Sequence, residues 1–372
     1  MNLVRRAFIG RAAGAGLAAA LPSAFAATAA SSADAGASRR FAPQAGDWRT
    51  FDVITRIDLP ATTSATRVWV PLPSVQTAWQ LPLGDSYSSN GAARVVADGT
   101  QGVRVVAVEF DANVAQPFVE VTSRVRTQSR TLGKHAVRDD ADTLRAATAP
   151  TRLLPTDGIV RDTALKATRG ARTDEAKARA LYEWVVANTW RDPKVAGCGV
   201  GDVKGMLETG NLGGKCADLN ALFVAMARSV GLPARDVYGI RLAPSAFGYK
   251  QLGSNSDNLS GAQHCRAEVY LQARGWTAMD PADVAKVMRQ ETPEWIKRAD
   301  DPLIAPVYHG LQGHWEGNWM AYNTAHDVTL PGSKEGADAF VMYPAAETVA
   351  GRVDCHDAAG FKYTICAQPL SA

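Results

Sequence analysis

Outside its first 26 residues the sequence has no apolar run long enough to span a membrane, and its charges are nearly balanced. The chain contains 40 lysines and arginines and 37 aspartates and glutamates, and three of the arginines lie within those first 26 residues. The remaining chain therefore has 37 charges of each sign and is formally neutral. This balance gives no indication of nucleic-acid binding or of attachment to an anionic membrane surface.

Metal-ligating residues are also scarce, with five cysteines and six histidines. The adjacent pairs His264-Cys265 and Cys355-His356 match no usual zinc spacing. The segment 255–258 lacks the full ligand run of a calcium-binding loop. We therefore expect no metal requirement and no cofactor.

The N-terminus has the features of an export signal. Arg5-Arg6 precedes an Ala/Gly/Leu-rich run that ends in Ala24-Phe25-Ala26, a small-residue cleavage site. The arginine pair indicates the twin-arginine route, although Val4 before the pair leaves the general secretion route open. We expect residues 1–26 to be a signal peptide, and the product to be a periplasmic or secreted bacterial protein without a membrane span.

The remaining chain divides by composition and pattern. Residues 27–44 are rich in Ala, Ser and Gly and predict a flexible linker. Residues 45–132 predict an all-β, sandwich-like domain, and residues 133–372 a catalytic domain with a C-terminal extension. The predicted strands of the β domain are Trp48–Leu59, Thr66–Pro71, Ala93–Ala97, Gly102–Phe110 and Phe118–Thr127.

Cys216 is the candidate nucleophile. It follows Gly213-Gly214, which suits a tight turn, and it precedes apolar residues at helical spacing. Gly231 and Pro233 then end the predicted helix. A cysteine at a helix N-terminus has a lowered thiol pKa, and the free N–H groups there can bind an oxyanion.

His264 and Asp280 are the candidate base and orienting acid. Alternation after His264 predicts a half-buried strand with His264 and Cys265 on opposite faces. A second predicted strand ends at Asp280-Pro281. In a hairpin centred near Gln272 the two side chains would be directly opposite each other, close enough for an imidazole–carboxylate hydrogen bond. Cysteine, histidine and aspartate are the groups that a thiol-dependent acyl-transfer enzyme needs.

Three segments together resemble the transglutaminase-like superfamily. They are Gly214-Lys215-Cys216, the run Ala227-Arg228-Ser229-Val230-Gly231-Leu232-Pro233-Ala234-Arg235, and His264-Cys265-Arg266-Ala267-Glu268-Val269-Tyr270 followed by Gly275-Trp276 and Asp280-Pro281. The match covers about residues 173–283. Cys265-Arg266 departs from the small and aromatic residues that are common after the histidine in this family.

The resemblance implies an α+β protein with a papain-like core, in which the helix that carries the cysteine packs on an antiparallel sheet. It also implies acyl transfer through a thioester on Cys216, with amides of peptides, proteins or peptidoglycan as substrates. Two alternatives stay open: a cysteine peptidase or amidohydrolase that uses water alone, and a non-catalytic envelope binding protein that retains the fold.

The second oxyanion donor and the disulfides are less determined. Trp190 lies where family members often add a donor to the N–H of Cys216, but it could equally close the preceding helix against the core. Export favours disulfides among the four remaining cysteines. Cys355 with Cys366, and then Cys198 with Cys265, is one of three possible pairings.

Overall fold

The computed structural model describes residues 39–97, 102–133 and 138–371. The predicted signal peptide and residues 27–38 of the predicted linker lie outside the described residues. Phe41, near the end of that predicted linker, is buried and packs edge-on against Phe247 and Tyr249, with ring centroids 5.2 and 6.2 Å away. The chain is therefore packed onto the core several residues before the first strand.

Six strands form the N-terminal β region. They are β1 (Arg49–Asp58), β2 (Thr66–Leu72), β3 (Gln80–Ser89), β4 (Ala92–Ala97), β5 (Arg104–Phe110) and β6 (Phe118–Thr127). Alternate residues of β1, β2, β5 and β6 are buried in one shared apolar cluster between two sheets. The predicted sandwich is confirmed, because period-two burial on facing sheets is the packing that the alternation requires.

The C-terminal residues complete both sheets of this sandwich. They form β13 (Ala345–Thr348), β14 (Gly351–Val353) and β15 (Lys362–Leu370). One sheet has the order β15-β1-β6-β3 and the other the order β14-β13-β2-β5-β4. The β region is thus built from residues 49–127 together with β13, β14 and β15, which join its two sheets and not the sheet on which the Cys216 helix packs.

Strand β3 was not predicted from the sequence. Its residues are mostly exposed or half-buried, and Pro82 and Gly84 interrupt any alternation. The register against β6 shifts between Pro82 and Gly84, which marks a bulge on this edge strand. Strand β3 is therefore recognised by its pairing with β6, because its own residue pattern does not alternate.

The middle of the chain is mixed helix and strand. Its helices are α1 (Ala141–Ala146), α2 (Gly158–Ala167), α3 (Asp174–Asn188), α4 (Val203–Thr209), α5 (Cys216–Ser229), α6 (Pro281–Gln290) and α7 (Ala305–Gly310), with a 3₁₀ turn at Lys250–Leu252. Its strands are β7 (Trp190–Arg191), β8 (Gly213–Gly214), β9 (Ala234–Arg241), β10 (Gln263–Leu271), β11 (Gly275–Met279) and β12 (Trp319–Asn323). None of the helices in the described part of the chain has the length and apolar character needed to cross a bilayer.

Helix α5 lies at the centre of this region, and all of its residues are buried. It packs on the antiparallel sheet β11-β10-β9-β12 and against α2, α3 and α6. The helix and its sheet confirm the predicted α+β core. Burial on all sides explains why apolar residues surround the helix instead of forming one stripe.

Strand β10 is buried along its whole length, which corrects the prediction of a half-buried strand. Helix α5 covers one face. The polar face lies under aromatic rings: the guanidinium of Arg266 sits 5.0 Å from the ring of Trp315 and 4.7 Å from that of Trp319. Glu268 on the same face is paired with Arg130 and Arg235. The charged residues of β10 therefore lie in buried contacts with partners and do not face solvent.

Gly239 in β9 is a point where a larger residue cannot fit. It is paired in register with His264 of β10, and an added Cβ would overlap the carbonyl oxygen of Met320 and the indole of Trp319. The same indole donates to the His264 carbonyl oxygen at 2.9 Å. We predict that Gly239→Ala lowers the free energy of unfolding by at least about 2 kcal/mol, because a closely packed core resists added volume.

Urea unfolding monitored by tryptophan fluorescence measures this change. Gly336→Ala is the matched control, since an added Cβ there meets no atom within 4 Å. Equal unfolding midpoints for the two variants would contradict the proposed packing at Gly239.

Candidate functional site

Cys216 is the first residue of α5 and is 3% exposed. Asp218, in the first turn of the helix, accepts hydrogen bonds from the backbone N–H of Lys215, Val200 and Gly201, each at 2.9 Å. These bonds tie the preceding loop to the start of the helix. The N-terminal position predicted for Cys216 is confirmed, and it places the sulfur at the positive end of the helix dipole.

The glycine pair before Cys216 serves close packing rather than a tight turn. Gly213-Gly214 forms the short strand β8, which runs parallel to β7. A side chain at Gly214 would overlap Asp218, and one at Gly213 would overlap the indole of Trp190. Small residues are thus required here so that the loop can reach the helix start.

His264 lies near the start of β10, with its Nε2 atom 2.8 Å from Oδ2 of Asp280. Both side chains are buried. The hairpin register pairs Ala267 with Met279, so Asp280 is level with Arg266 and diagonal to His264. The predicted contact is present, but the directly opposite pairing was wrong because the turn is centred one residue later than Gln272.

The Asp280 carboxylate is held from several sides. It caps α6, and its Oδ1 accepts from the backbone N–H of Asp283 at 3.0 Å and from the Asn220 amide at 3.3 Å. The guanidinium Nε of Arg266 lies 3.5 Å from Oδ2. Asn220 also donates to the Cys265 carbonyl at 2.8 Å and thereby joins the helix that carries Cys216 to the strand that carries His264.

A second carboxylate, which the sequence analysis missed, also faces the histidine. Oδ2 of Asp283 is 3.3 Å from Nε2 of His264, and its Oδ1 accepts from Arg241 at 2.5 Å. Arg241 in turn donates to the Leu252 carbonyl at 2.7 Å. Asp283 stands three residues after Asp280 at the start of α6, and that spacing was the signal available in the sequence.

Ionisation in this cluster follows from its geometry. Burial lowers the pKa of His264, but Asp283 and Asp280 outweigh burial and raise it to about 9. Burial raises the pKa of Cys216, but hydrogen bonds with Cys198, Cys265 and His264 reverse the effect and hold it well below its usual value. These opposite pKa shifts favour a thiolate on Cys216 and an imidazolium on His264 at neutral pH.

Three thiols gather at this point. The hydrogen bond with Cys216, together with burial, raises the pKa of Cys198, and burial with the same kind of bond raises that of Cys265. Both neighbours thus stay protonated beside the Cys216 sulfur, and the Cys198 thiol also donates to the Gln263 carbonyl oxygen at 3.3 Å. Cys265, one of the two residues that depart from the family pattern, directly supports the thiolate.

All five cysteines are free, so neither predicted disulfide is present. Cys198 and Cys265 each contact Cys216 instead of forming a bridge with each other. Cys355 packs on the apolar cluster between the two β-sheets. Cys366 lies on the opposite face of β15 from the buried residues Ile365 and Ala367. Strand alternation therefore points the sulfur of Cys366 away from that of Cys355.

The Cys216 sulfur opens onto a cavity of about 270 Å³. Its wall includes His264, Cys198, Tyr343 and His356 together with several cationic residues. Trp190 does not line this cavity. Its indole packs over Gly213, which matches the alternative of a residue that closes the fold after α3.

His264, Asp280 and Asp283 bring three ligand-type atoms within 4.8 Å of one another, a geometry that could hold a metal ion. Two guanidinium groups already neutralise the carboxylates, Arg241 on Asp283 and Arg266 beside Asp280. This charge balance favours a histidine that exchanges protons over a metal ligand.

The chain is similar to known proteins in sequence. The model of the family described as "Transglutaminase-like superfamily" matches residues 161–281. An uncharacterized protein of Haemophilus influenzae is 33% identical over 330 residues, which cover 82% of this chain and 86% of that protein.

One solved structure shares the fold of this chain, and a second is reported for its sequence likeness alone. A crystal structure from Cytophaga hutchinsonii titled "Putative Cysteine Protease" has a TM-score of 0.55 at 16% identity, covering 89% of this chain and 94% of that one. The periplasmic domain of TgpA from Pseudomonas aeruginosa, also 16% identical, covers 69% of this chain and 94% of its own, with a TM-score of 0.33.

The ionised pair predicts an unusual pH profile for Cys216. Its alkylation rate with iodoacetamide should fall much less from about pH 8 to pH 6 than the rate of an ordinary thiol, which falls about tenfold per pH unit below its pKa. Peptide mass spectrometry after timed quenching measures each cysteine separately. Cys366, a half-buried thiol whose pKa is raised by burial, is the internal control. Parallel profiles for Cys216 and Cys366 would contradict the thiolate assignment.

Proposed function

Because the chain belongs to the transglutaminase-like superfamily, we propose that it is a thiol-dependent acyltransferase or amidohydrolase, with Cys216 as nucleophile. The observation that carries the proposal is the continuous contact from the Cys216 sulfur through His264 to Asp280, with 2.8 Å between imidazole and carboxylate. Covalent acyl transfer requires a nucleophile in contact with a base, and a base that is oriented by an acid.

In the first half-reaction the Cys216 thiolate attacks the amide carbonyl carbon. The C–N bond then breaks, and the imidazolium of His264 gives its proton to the leaving nitrogen, so that an amine departs and a thioester remains. Asp280 holds Nε2, which leaves Nδ1 as the ring nitrogen that exchanges the proton. The backbone N–H of Cys216 is the proposed donor to the oxyanion.

In the second half-reaction the neutral His264 takes a proton from the acceptor, which attacks the thioester carbon. Water gives a carboxylic acid, and a primary amine gives a new amide. In both cases the thiolate and imidazolium are regenerated. Asp283 and Arg241 act through His264: the carboxylate stabilises the imidazolium, and the guanidinium keeps that carboxylate in place.

The proposed substrates are amides of peptides, proteins or cell-wall peptides. A cavity of about 270 Å³ suits one side chain or a short peptide segment. The N-terminal 26 residues carry the features of an export signal, which supports action in the bacterial envelope. The acceptor, water or amine, depends on which molecule can approach the thioester.

Replacement of the nucleophile tests the proposal. Cys216→Ala should reduce turnover of labelled glutamine-containing peptides or peptidoglycan fragments by at least about 1,000-fold, because no thioester can form. Assays with and without a primary amine, read by mass spectrometry, separate the two products: an amide of the added amine means transferase, and a free acid means hydrolase.

Cys366→Ala is the matched control, a cysteine on β15 outside the cavity, and it should retain wild-type turnover. Equal activity of wild type and Cys216→Ala would remove Cys216 from the mechanism. No turnover by either protein, together with a slowly reacting Cys216, would favour a binding protein that retains the fold.

A further inference from the structure

The cavity beside Cys216 has an excess of positive charge. Arg191, Lys215, Lys286 and Arg241 all line it, and no aspartate or glutamate is among its lining residues. Arg241 is neutralised by Asp283. The other three side chains form no ion pair with any residue in the described ranges. We call Arg191, Lys215 and Lys286 the cationic wall.

Each residue of the cationic wall is held by an element of the core. Arg191 is the second residue of β7, Lys215 occupies the position just before the first residue of α5, and Lys286 lies on α6 one turn after Asp283. All three are half-buried. The guanidinium Nε of Arg191 is buried and has no hydrogen-bond partner among the described residues.

The charges in the cationic wall are costly to bring together. Burial, and then Arg241, lower the pKa of Lys286 to about 8, while burial and then Arg191 lower the pKa of Lys215. Asp192, the residue after Arg191, accepts from the backbone N–H of Lys194 and does not line the cavity, and the Asp283 carboxylate is already paired with Arg241. An anion bound between these groups would relieve both their repulsion and their desolvation.

The reacting groups do not provide that anion. The Cys216 thiolate is balanced by the His264 imidazolium, and Asp280 and Asp283 lie beside Arg266 and Arg241. These groups therefore do not neutralise the positive charge of the cationic wall, and a negatively charged substrate could do so. Among groups attached to a peptide amide, the one with a full negative charge is a carboxylate, either a free C-terminus or an acidic side chain.

Resting on the proposed function, we infer that the cationic wall selects amides that carry a carboxylate close to the scissile bond. Guanidinium and ammonium groups bind carboxylates through charge-assisted hydrogen bonds, and they raise the local concentration of anionic substrates in a cleft. Substrate choice would then be set by Arg191, Lys215 and Lys286, while Cys216, His264 and Asp280 perform the chemistry.

Alkylation of Cys216 tests the charge preference without any turnover. Iodoacetate and iodoacetamide have similar size and differ by one negative charge, and both need the thiolate, so the ratio of their rates is independent of the thiol pKa. We expect this ratio at Cys216 to exceed the ratio in the urea-unfolded protein by about three- to tenfold, and to decrease at high salt.

Lys286→Gln and Arg191→Gln should each lower the ratio toward the unfolded value. Lys362→Gln, the same loss of charge at an exposed position on β15, is the matched control and should leave the ratio unchanged. A ratio in the native protein equal to that of the unfolded chain would overturn the inference. An equal decrease of the rate ratio in all three variants would also overturn the inference.

Turnover separates this inference from the proposed function. Paired peptide amides that differ only in a carboxylate or carboxamide next to the scissile bond should differ at least about tenfold in kcat/KM, and Lys286→Gln should reduce the difference. Turnover that depends on Cys216 but is equal for both peptides would overturn the inference and leave the function standing. No turnover with an elevated alkylation ratio would support the charge selection and count against the function.

Discussion

A buried group of five charged side chains determines the arrangement around Cys216. Arg241 and Arg266 compensate Asp283 and Asp280, and the two carboxylates converge on Nε2 of His264. With the acids and guanidinium groups balanced, the imidazolium has one remaining counter-charge, the thiolate at the start of α5. Removing one member of a buried pair leaves an uncompensated charge, at a cost of about 3–5 kcal/mol. The same ions that set the reactivity of the thiol therefore also hold α5, α6, β9 and β10 together.

The β-sandwich supports this group from the far side of the sheet. The side chain of Gln80 bonds both the N–H and the C=O of Ala321 in β12, at 2.7 and 2.8 Å. Trp79 packs edge-on against Trp315, with ring centroids 5.2 Å apart, and Trp315 covers the guanidinium of Arg266. A series of packed groups thus runs from the sandwich to the carboxylate that orients His264. This gives the N-terminal strands a supporting role for the site, although they contribute no group to the cavity.

Local pattern in the sequence was sufficient to predict the elements that carry the proposed nucleophile, base and orienting acid. Helix α5 and the hairpin of β10 and β11 have strong periodicity and clear end signals, and these are enough to predict that Cys216 begins a helix and that His264 and Asp280 meet across a hairpin. The partners that tune them were not predictable in this way. Arg241 and Asp283 are 42 residues apart and meet only because β9 and α6 pack together.

The predictions for the disulfides and for the burial of β10 were wrong for the same reason, because both depend on contacts between distant parts of the chain. The disulfide prediction relied on spacing and compartment, but the decisive fact is three-dimensional: Cys198 and Cys265 both lie beside the Cys216 sulfur. The burial of β10 was missed because its polar residues, such as Arg266 and Glu268, resemble a solvent face until their partners are seen. Where a residue's role depends on a distant partner, the sequence pattern alone gives no signal.

The central claim is that buried carboxylates keep His264 protonated opposite a thiolate. Nitrogen-15 NMR of the histidine rings tests it directly, with His264→Gln used to assign the His264 signals. The account predicts that both ring nitrogens of His264 carry protons at neutral pH and that the imidazolium titrates with a pKa of about 9. A neutral His264 ring at pH 7, with one protonated and one bare nitrogen, would contradict it.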